Sequence, residues 1–535
     1  MELQRVIERC VAKNPAQRFH SAHDLAFALK GMLSAVGEKP AAAAGSRSVR
    51  LGMLLAIAAA LILTAAGLFY WRSRAAKGID SIAVLPFANM DGNPETDYLS
   101  DGITESLMES LSELPNLKVM SSSAVSRYRG KQPDVRVVGR EFGVRAVLTG
   151  RITLRGESLT VSTELVDVAD DSRLWGEQYN RKLADALAVQ NDIAHQIVDK
   201  LRLRLTNAQM AHMTTRQTAN PEAYQLYLKG RYFAAQFTPE GLEKGMNYFR
   251  QAIAFDPAYA LAYDGMSYYY TLLEDISMAP AEVMPKAEEA AHKAMELDDS
   301  LVEPHVEQAF NYTCYDYDWP AAEREFRRAF SINPNYAPAH EFYGWYLMSQ
   351  GRIDQAIQEG KRAVELDPLS PEVHSTLGLI LYYARRYDQA GVELHKTLEV
   401  DPNYWLGYNV MGEVYAQQGR IDDAIAVQRK AAELFGTTSW PLAEIARDYA
   451  LEGKLPEAHQ ALRDLLARAH HFRVSPYGIA TVYAALGDKD QAFAQLEQAY
   501  KQRTEYMDFL KVDPELDSLR SDPRFQGLLR SMNLQ

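Results

Sequence analysis

At 535 residues the chain exceeds what one hydrophobic core supports, so several domains are expected. A hydrophobic content of 47% excludes global disorder, and two distant cysteines, Cys10 and Cys314, exclude a disulfide framework or a Cys-based zinc site. The net charge of −13 is uneven: residues 1–50 carry +4, 72–206 carry −1 and 207–535 carry −16, a balance that repels phosphate backbones and argues against a nucleic-acid partner.

The first 35 residues read as short amphipathic helices, followed by a linker over 36–50. Within them, Cys10 to Leu25 resembles the last helices of a bacterial Ser/Thr protein kinase domain, through Lys13, Pro15 and Arg18. The resemblance implies that Arg18 pairs with a buried glutamate of an activation segment and that Phe19 and Leu25 pack on a helical lobe. No Gly-rich phosphate loop, strand lysine, H-R-D loop or D-F-G aspartate occurs in the chain. Catalysis and cofactors are therefore not expected. The stretch reads as the end of a kinase whose ATP-binding parts would lie upstream of Met1, either lost or read past.

Leu51 to Trp71 is a run of 21 uncharged, mostly apolar residues, and about 20 suffice to cross a bilayer as a helix. Phe69, Tyr70 and Trp71 suit an interfacial belt, although the flanking charges do not set the direction.

From residue 80 to 206 the pattern turns to mixed α/β. Ile82–Phe87 reads as a buried strand, Ile103–Leu114 as a helix and Leu117–Met120 as a strand. Arg145–Thr153 and Ser158–Asp167 alternate about Arg155-Gly156-Glu157 as a hairpin, and a helix is expected over Leu183–Leu205. Four segments, at 82–87, 98–103, 138–144 and 174–179, resemble the TolB-like N-terminal domain, which implies a non-catalytic module. Asp97, Asp101 and Glu105 read as acids at a helix start, and Trp175 as core.

Ala322, Ala356, Ala390, Ala424, Ala458 and Ala492 stand 34 residues apart, as do Pro334, Pro368 and Pro402. Such a period marks an array of helix pairs, with Asp-Pro or Asn-Pro closing each unit. It resembles the tetratricopeptide (TPR) repeat, giving about eight units over 220–506 and a C-terminal cap over 507–535. Eight residues beyond the period are expected near Leu273–Pro285. The resemblance implies a concave groove lined by the first helix of each unit, at Glu307, Asn311, Glu341, Trp345, Ser375, Tyr382, Asn409 and Glu413. Trp345 and Tyr382 are the expected anchors, and the acidic and amide lining suits a basic or neutral peptide. Carboxylate capture is disfavoured, because Glu307 stands where that mode needs lysine. Asp316 and Asp318, and His470-His471, lack the further ligands of a metal site.

The expectation is a single-span, multidomain protein: an α/β TolB-like domain and an all-α TPR solenoid anchored in a bacterial inner membrane. The N-terminus would be cytoplasmic and the rest periplasmic. A protein or peptide would occupy the groove, as the sensor or docking part of a receptor kinase, with a cytoplasmic assembly scaffold as the rival; self-association stays open.

Overall fold

The computed structural model describes residues 79–535 apart from 94–95, 113, 115–116, 132, 202–217, 237, 277, 437–438 and 469–472. All of these lie in one compact unit, Gly78–Gln535. The kinase-like stretch and the expected span at 51–71 fall outside the described residues, as does His470-His471. Among the described residues no helix is long and apolar enough to cross a membrane.

The run at Ile82 is apolar on both faces, the pattern of a strand covered from both sides. It forms β1 (Ser81–Val84), every residue of which is buried. Around it lie β2 (Ala88–Asn89), β3 (Lys118–Val119), β4 (Ala146–Arg155), β5 (Ser158–Asp167) and β6 (Ser172–Lys182), in the order β3-β1-β4-β5-β6 with β2 beside β4. β1 runs parallel to β3 and β4, whereas β4, β5 and β6 are antiparallel. The expected hairpin is thus β4–β5, turned at Gly156 with φ +60. The segment at 174–179 lies on β6, where Trp175 is buried in the core.

Helices α1 (Asp97–Ser112), α2 (Ser122–Ser126), α3 (Val135–Phe142) and α4 (Ala186–Lys200) complete this domain. α1 begins six residues before the expected start, and Asp97 in its first turn accepts a hydrogen bond from Asn89 (2.7 Å). α4 is described to Lys200, with the expected continuation into 202–205 outside the described residues.

Eight helix pairs follow. They are α5 (Pro221–Ala234) with α6 (Pro239–Phe255), α7 (Ala260–Ile276) with α8 (Pro280–Leu297), and α9 (Val302–Asn311) with α10 (Trp319–Ile332). Next come α11 (Ala337–Ser349) with α12 (Ile353–Leu366), and α13 (Pro371–Tyr383) with α14 (Tyr387–Val400). The last are α15 (Trp405–Gln417) with α16 (Ile421–Phe435), α17 (Trp440–Leu451) with α18 (Leu455–Ala467), and α19 (Pro476–Leu486) with α20 (Lys489–Gln502).

The 34-residue beat has three physical causes. All six alanines are fully buried, and the facing helix approaches so closely that a Cβ on Gly344 would stand 3.3 Å from the Ala356 carbonyl oxygen. Asn333, Asp367 and Asp401, each preceding a proline, leave the helix at φ between −130 and −135 because the next ring disfavours the α region. The turn between paired helices needs a left-handed residue, supplied by Gly351, Gly419, Gly453 and Gly487. Tyr317 and Arg385 take that place in two units, at φ +57 and +60. The eight extra residues do not form a loop. They lengthen α7 and α8 to 17 and 18 residues, against 13 and 14 in α13 and α14, with Pro285 inside α8.

The α/β domain and the array are not separated by a solvated boundary. Tyr224, Tyr227 and Leu228 of α5 belong to the same buried core as β1 and α1. A Cβ on Gly102 of α1 would meet Leu228 at 2.8 Å. Arg231 of α5 pairs with Glu105 (3.0 Å) and with Glu109, so Glu105 anchors the repeats rather than merely opening a helix.

Ala390→Trp overpacks the contact between α13 and α14 and is expected to cost about 1–3 kcal/mol or more. Because units stabilise their neighbours, hydrogen exchange should rise in α11–α16 and not in α13–α14 alone. Exchange confined to the substituted unit would contradict this account.

Candidate protein-binding groove

The 34-residue register places Glu307, Glu341, Ser375 and Asn409 at equivalent positions of α9, α11, α13 and α15. Four residues on, on the same helical face, come Asn311, Trp345, Leu379 and Glu413. Successive units bring this face together: Tyr268 of α7 feels the charges of Glu307, Glu341 and Glu372, which lie on three different units. The C-terminal segment covers one part of this face, and a second part lies outside the contacts described for it.

The C-terminal segment fills the first. After α20 it forms 3₁₀ turns at Met507–Phe509 and Pro514–Leu519 and a last helix, α21 (Pro523–Ser531). It was expected to cap the final repeat, but it reaches back as far as α10, where Trp319 Nε1 donates to the Met532 carbonyl (2.7 Å). Asp508 accepts from Trp345 Nε1 (2.8 Å) and Ser349 Oγ (3.0 Å), and the Phe509 ring lies 4.6 Å from those of Trp345 and Tyr383. Tyr506 stacks on Trp440 at 4.2 Å. Tyr477 donates to Asp513 (2.6 Å), and Tyr382 donates to Glu515 (3.0 Å). Met507, Phe509, Leu510, Leu516 and Leu519 are fully buried.

Two expected anchors are therefore corrected. Tyr382 is 1% exposed and Trp345 is partly buried, and both hold the chain's own tail. Asn409 and Glu413 are likewise enclosed: Glu413 accepts from Asn409 Nδ2 (2.8 Å) and Trp440 Nε1 (3.0 Å). Sequence spacing gave no sign of the tail that covers them.

At the centre of the covered part lies Arg447, 2% exposed, which the sequence reading missed. It pairs with Glu444 (2.7 Å), Asp448 (3.2 Å) and Glu515 of the tail. Burial opposes the guanidinium charge, but the surrounding carboxylates outweigh it and hold the group charged. Burial pushes Glu413 up to about 7 and Glu444 well above its ordinary range. A lone arginine in an apolar helix, Ala446-Arg447-Asp448, was the available signal.

The second part carries Tyr268 of α7, Glu307 and Asn311 of α9, Glu341 of α11 and Ser375 of α13, of which Tyr268 alone is exposed. Tyr268 is 42% exposed, though surrounding protein raises its hydroxyl. Burial, with the Glu303 charge, pushes Glu307 up to about 8. Burial also pushes Glu341 to about 8, against the hydrogen bond it accepts from Thr376 (2.7 Å). Asn311 and Ser375, each 1% exposed, have side-chain polar atoms without a hydrogen-bond partner. A separate cleft of about 530 Å³ lies on the α/β sheet, where Arg173 already pairs with Glu164 (3.5 Å). Among the described residues no group of three or more His, Cys, Asp or Glu side chains is placed to hold a metal ion.

Residues 78–199 match the family model of the HilA/YgeH-like transcriptional regulator, second domain, in place of the TolB-like domain expected from the motifs. Residues 346–384 and 375–437 match TPR-repeat models, so the array is a TPR array. A putative adenylate cyclase 3 of Rhizobium meliloti is 36% identical over 187 residues, 35% of this chain and 32% of that protein. The transcriptional regulator HilA of Salmonella typhimurium is 23% identical over 285 residues, 52% of this chain and 49% of HilA. The chain thus spans about a third and about half the length of these curated relatives. Among solved structures, Pseudomonas aeruginosa pilF aligns with TM-score 0.31 and 21% identity over 40% of this chain and 92% of pilF. YrrB, a TPR protein with an unusual peptide-binding site, aligns with TM-score 0.24 and 22% identity over 35% of this chain and 91% of YrrB.

Arg447→Ala leaves buried carboxylates uncompensated and is expected to cost about 3–5 kcal/mol. Urea melts should show the loss, and hydrogen exchange over 504–519 should rise first. Unchanged exchange there would mean that the apolar residues alone hold the tail.

Glu307 and Glu341 bind protons more tightly when folded, near 8, than at the ordinary 4.5. Their contribution to stability is full below 4.5 and lost as pH rises through about 8. The Tm should fall between pH 6 and 9, and Glu341→Gln should flatten that fall. An unaltered slope in the variant would refute the assignment.

Proposed function

We propose that this chain is a non-catalytic scaffold that binds a protein partner on the part of its TPR face that carries Tyr268. The observation that carries this reading is the partial cover of that face. The chain's own tail covers one part, while the other keeps Tyr268 accessible and leaves polar atoms of Asn311 and Ser375 without hydrogen-bond partners. The HilA match, at 285 residues, is longer than the α/β domain and therefore extends beyond it.

The finer reading places the scaffold in a bacterial inner membrane through residues 51–71, with the groove in the periplasm. Its role there is the sensor or docking part of a receptor Ser/Thr kinase. This rests on the apolar run and on Lys13, Pro15 and Arg18.

A photo-crosslinking amino acid in place of Tyr268 is expected to join the chain to a discrete second protein in living cells. Adducts no stronger than those from exposed Leu451, outside the groove, would overturn the scaffold reading. A reporter enzyme active only in the periplasm, fused after Gln535, should be active; a silent, well-expressed fusion would move the groove to the cytoplasm. Residues 80–535 should incorporate no labelled phosphate, and incorporation blocked by an ATP-site inhibitor would overturn the non-catalytic assignment.

A further inference from the structure

We propose that the cleft on the sheet of the α/β domain binds a small organic anion, with Lys131 and Arg151 meeting its carboxylate or phosphate head and Pro86, Ala88, Pro133 and Val135 its apolar body. The site lies apart from the repeats and does not depend on the scaffold reading.

The path of the chain sets the place of the cleft. Phe87, just past β1, donates its N–H to Thr104 Oγ1 of α1 (3.0 Å), and a Cβ on Gly150 of β4 would strike its ring. α1 therefore covers the face toward which Gly150 turns. Thr149 and Arg151, its neighbours in β4, turn the other way and share a face with their partners Glu164 and Ser162 of β5. α3 packs on that second face, where a Cβ on Gly139 would strike Val168, in step with Ser162, Glu164 and Val166. The chain thus leaves β1 through α1 on one face and enters β4 from α3 on the other, although β1 and β4 are adjacent and parallel. Open α/β sheets take their ligands where such crossovers part, beyond the carboxyl ends of the strands. β1 ends at Val84, and the cleft opens beside Leu85 and Pro86.

The lining is the second observation. The cleft encloses about 530 Å³, the size of a small-molecule site. Pro86 and Ala88 after β1, and Pro133 and Val135 at the entry to α3, are partly exposed and supply apolar walls. Three exposed basic side chains, Lys131, Arg151 and Arg173, line it with two exposed acidic ones, Glu164 and Glu177. Arg173 pairs with Glu164 (3.5 Å), and a Cβ on Gly176 would collide with its guanidinium, so β6 is bare where that group lies. Lys131 and Arg151 have no ion pair and no side-chain hydrogen bond among the described residues. Two accessible cations leave an excess of positive charge that an acidic head neutralises and a cationic one would aggravate. The walls reward an apolar body that leaves water.

The test irradiates the full-length chain in detergent with benzophenone-4-carboxylate, an acid on an apolar body that forms adducts where it sits, and maps the adducts by mass spectrometry. Labelling should saturate and concentrate at residues 85–88 and 131–135. The neutral benzophenone-4-carboxamide should label these residues about tenfold less. Lys131→Glu/Arg151→Glu should reduce labelling by the acid about tenfold or more. Lys430→Glu/Arg463→Glu, the same change in net charge at exposed positions of the array, should leave it within about twofold. Ser162→Trp fills the cleft from an unbonded position on the open face, so it should block labelling and leave the thermal melt in place. This variant decides the matter should Lys131→Glu/Arg151→Glu melt early. No enrichment of adducts at the cleft, equal labelling by the carboxamide, equal weakening by both double variants, or labelling that persists in Ser162→Trp would each overturn the proposal.

Discussion

A helix pair of this size leaves an apolar face bare until a neighbour covers it, and everything else in the molecule follows from how that need is met. Between units, the buried alanines at 34-residue intervals and the close approach at Gly344 let one face seat on the next. At the N-terminal end, α1 and α4 cover α5, so the sheet domain acts as the first cap and shares a core with the repeats. At the other end the chain covers itself, through Phe525, Leu528 and Leu529 of α21 packed in the same core as the later units.

The tail does more than cap, and its chemistry explains why it enters the groove. Its apolar residues supply most of the burial, but Asp508, Asp513 and Glu515 each meet a specific donor on the array, Trp345, Tyr477 and Arg447. Buried carboxylates need such partners, so the polar contacts set the register of the segment while the apolar ones supply affinity. An array whose later units are locked in this way presents a shorter, more rigid recognition surface than its repeat count suggests. Rigidity there lowers the ordering cost that a partner would otherwise bear.

Coupling between the sheet domain and the groove has a physical route. Arg231 joins α5 to Glu105 and Glu109 of α1, Lys118 Nζ of β3 donates to the Glu365 carbonyl (2.8 Å), and Asn333 of the third unit donates to the Ser112 carbonyl (3.3 Å). The α/β domain therefore contacts the first, third and fourth units, and movement of the early repeats loads the sheet directly.

Local pattern by itself determined much of this. The 34-residue period, the Asp-Pro and Asn-Pro stops, the buried run at Ile82 and the hairpin about Gly156 all act through neighbours in sequence, so they were legible there. β6 was missed as a strand because its exposed face is rich in charge, and the eight extra residues were legible as an excess but not as added helical turns. The register also set which positions of successive first helices are equivalent, 34 residues apart. That the tail packs on these helices was not legible, because contacts such as Trp345 with Asp508 and Tyr382 with Glu515 span 163 and 133 residues and leave no periodic trace. The same holds for Arg447, whose partner Glu515 arrives only when the tail folds back, and for the unbonded amide of Asn311. Local sequence sets helices and their faces; which polar atoms are left over is decided by the packing of the whole chain.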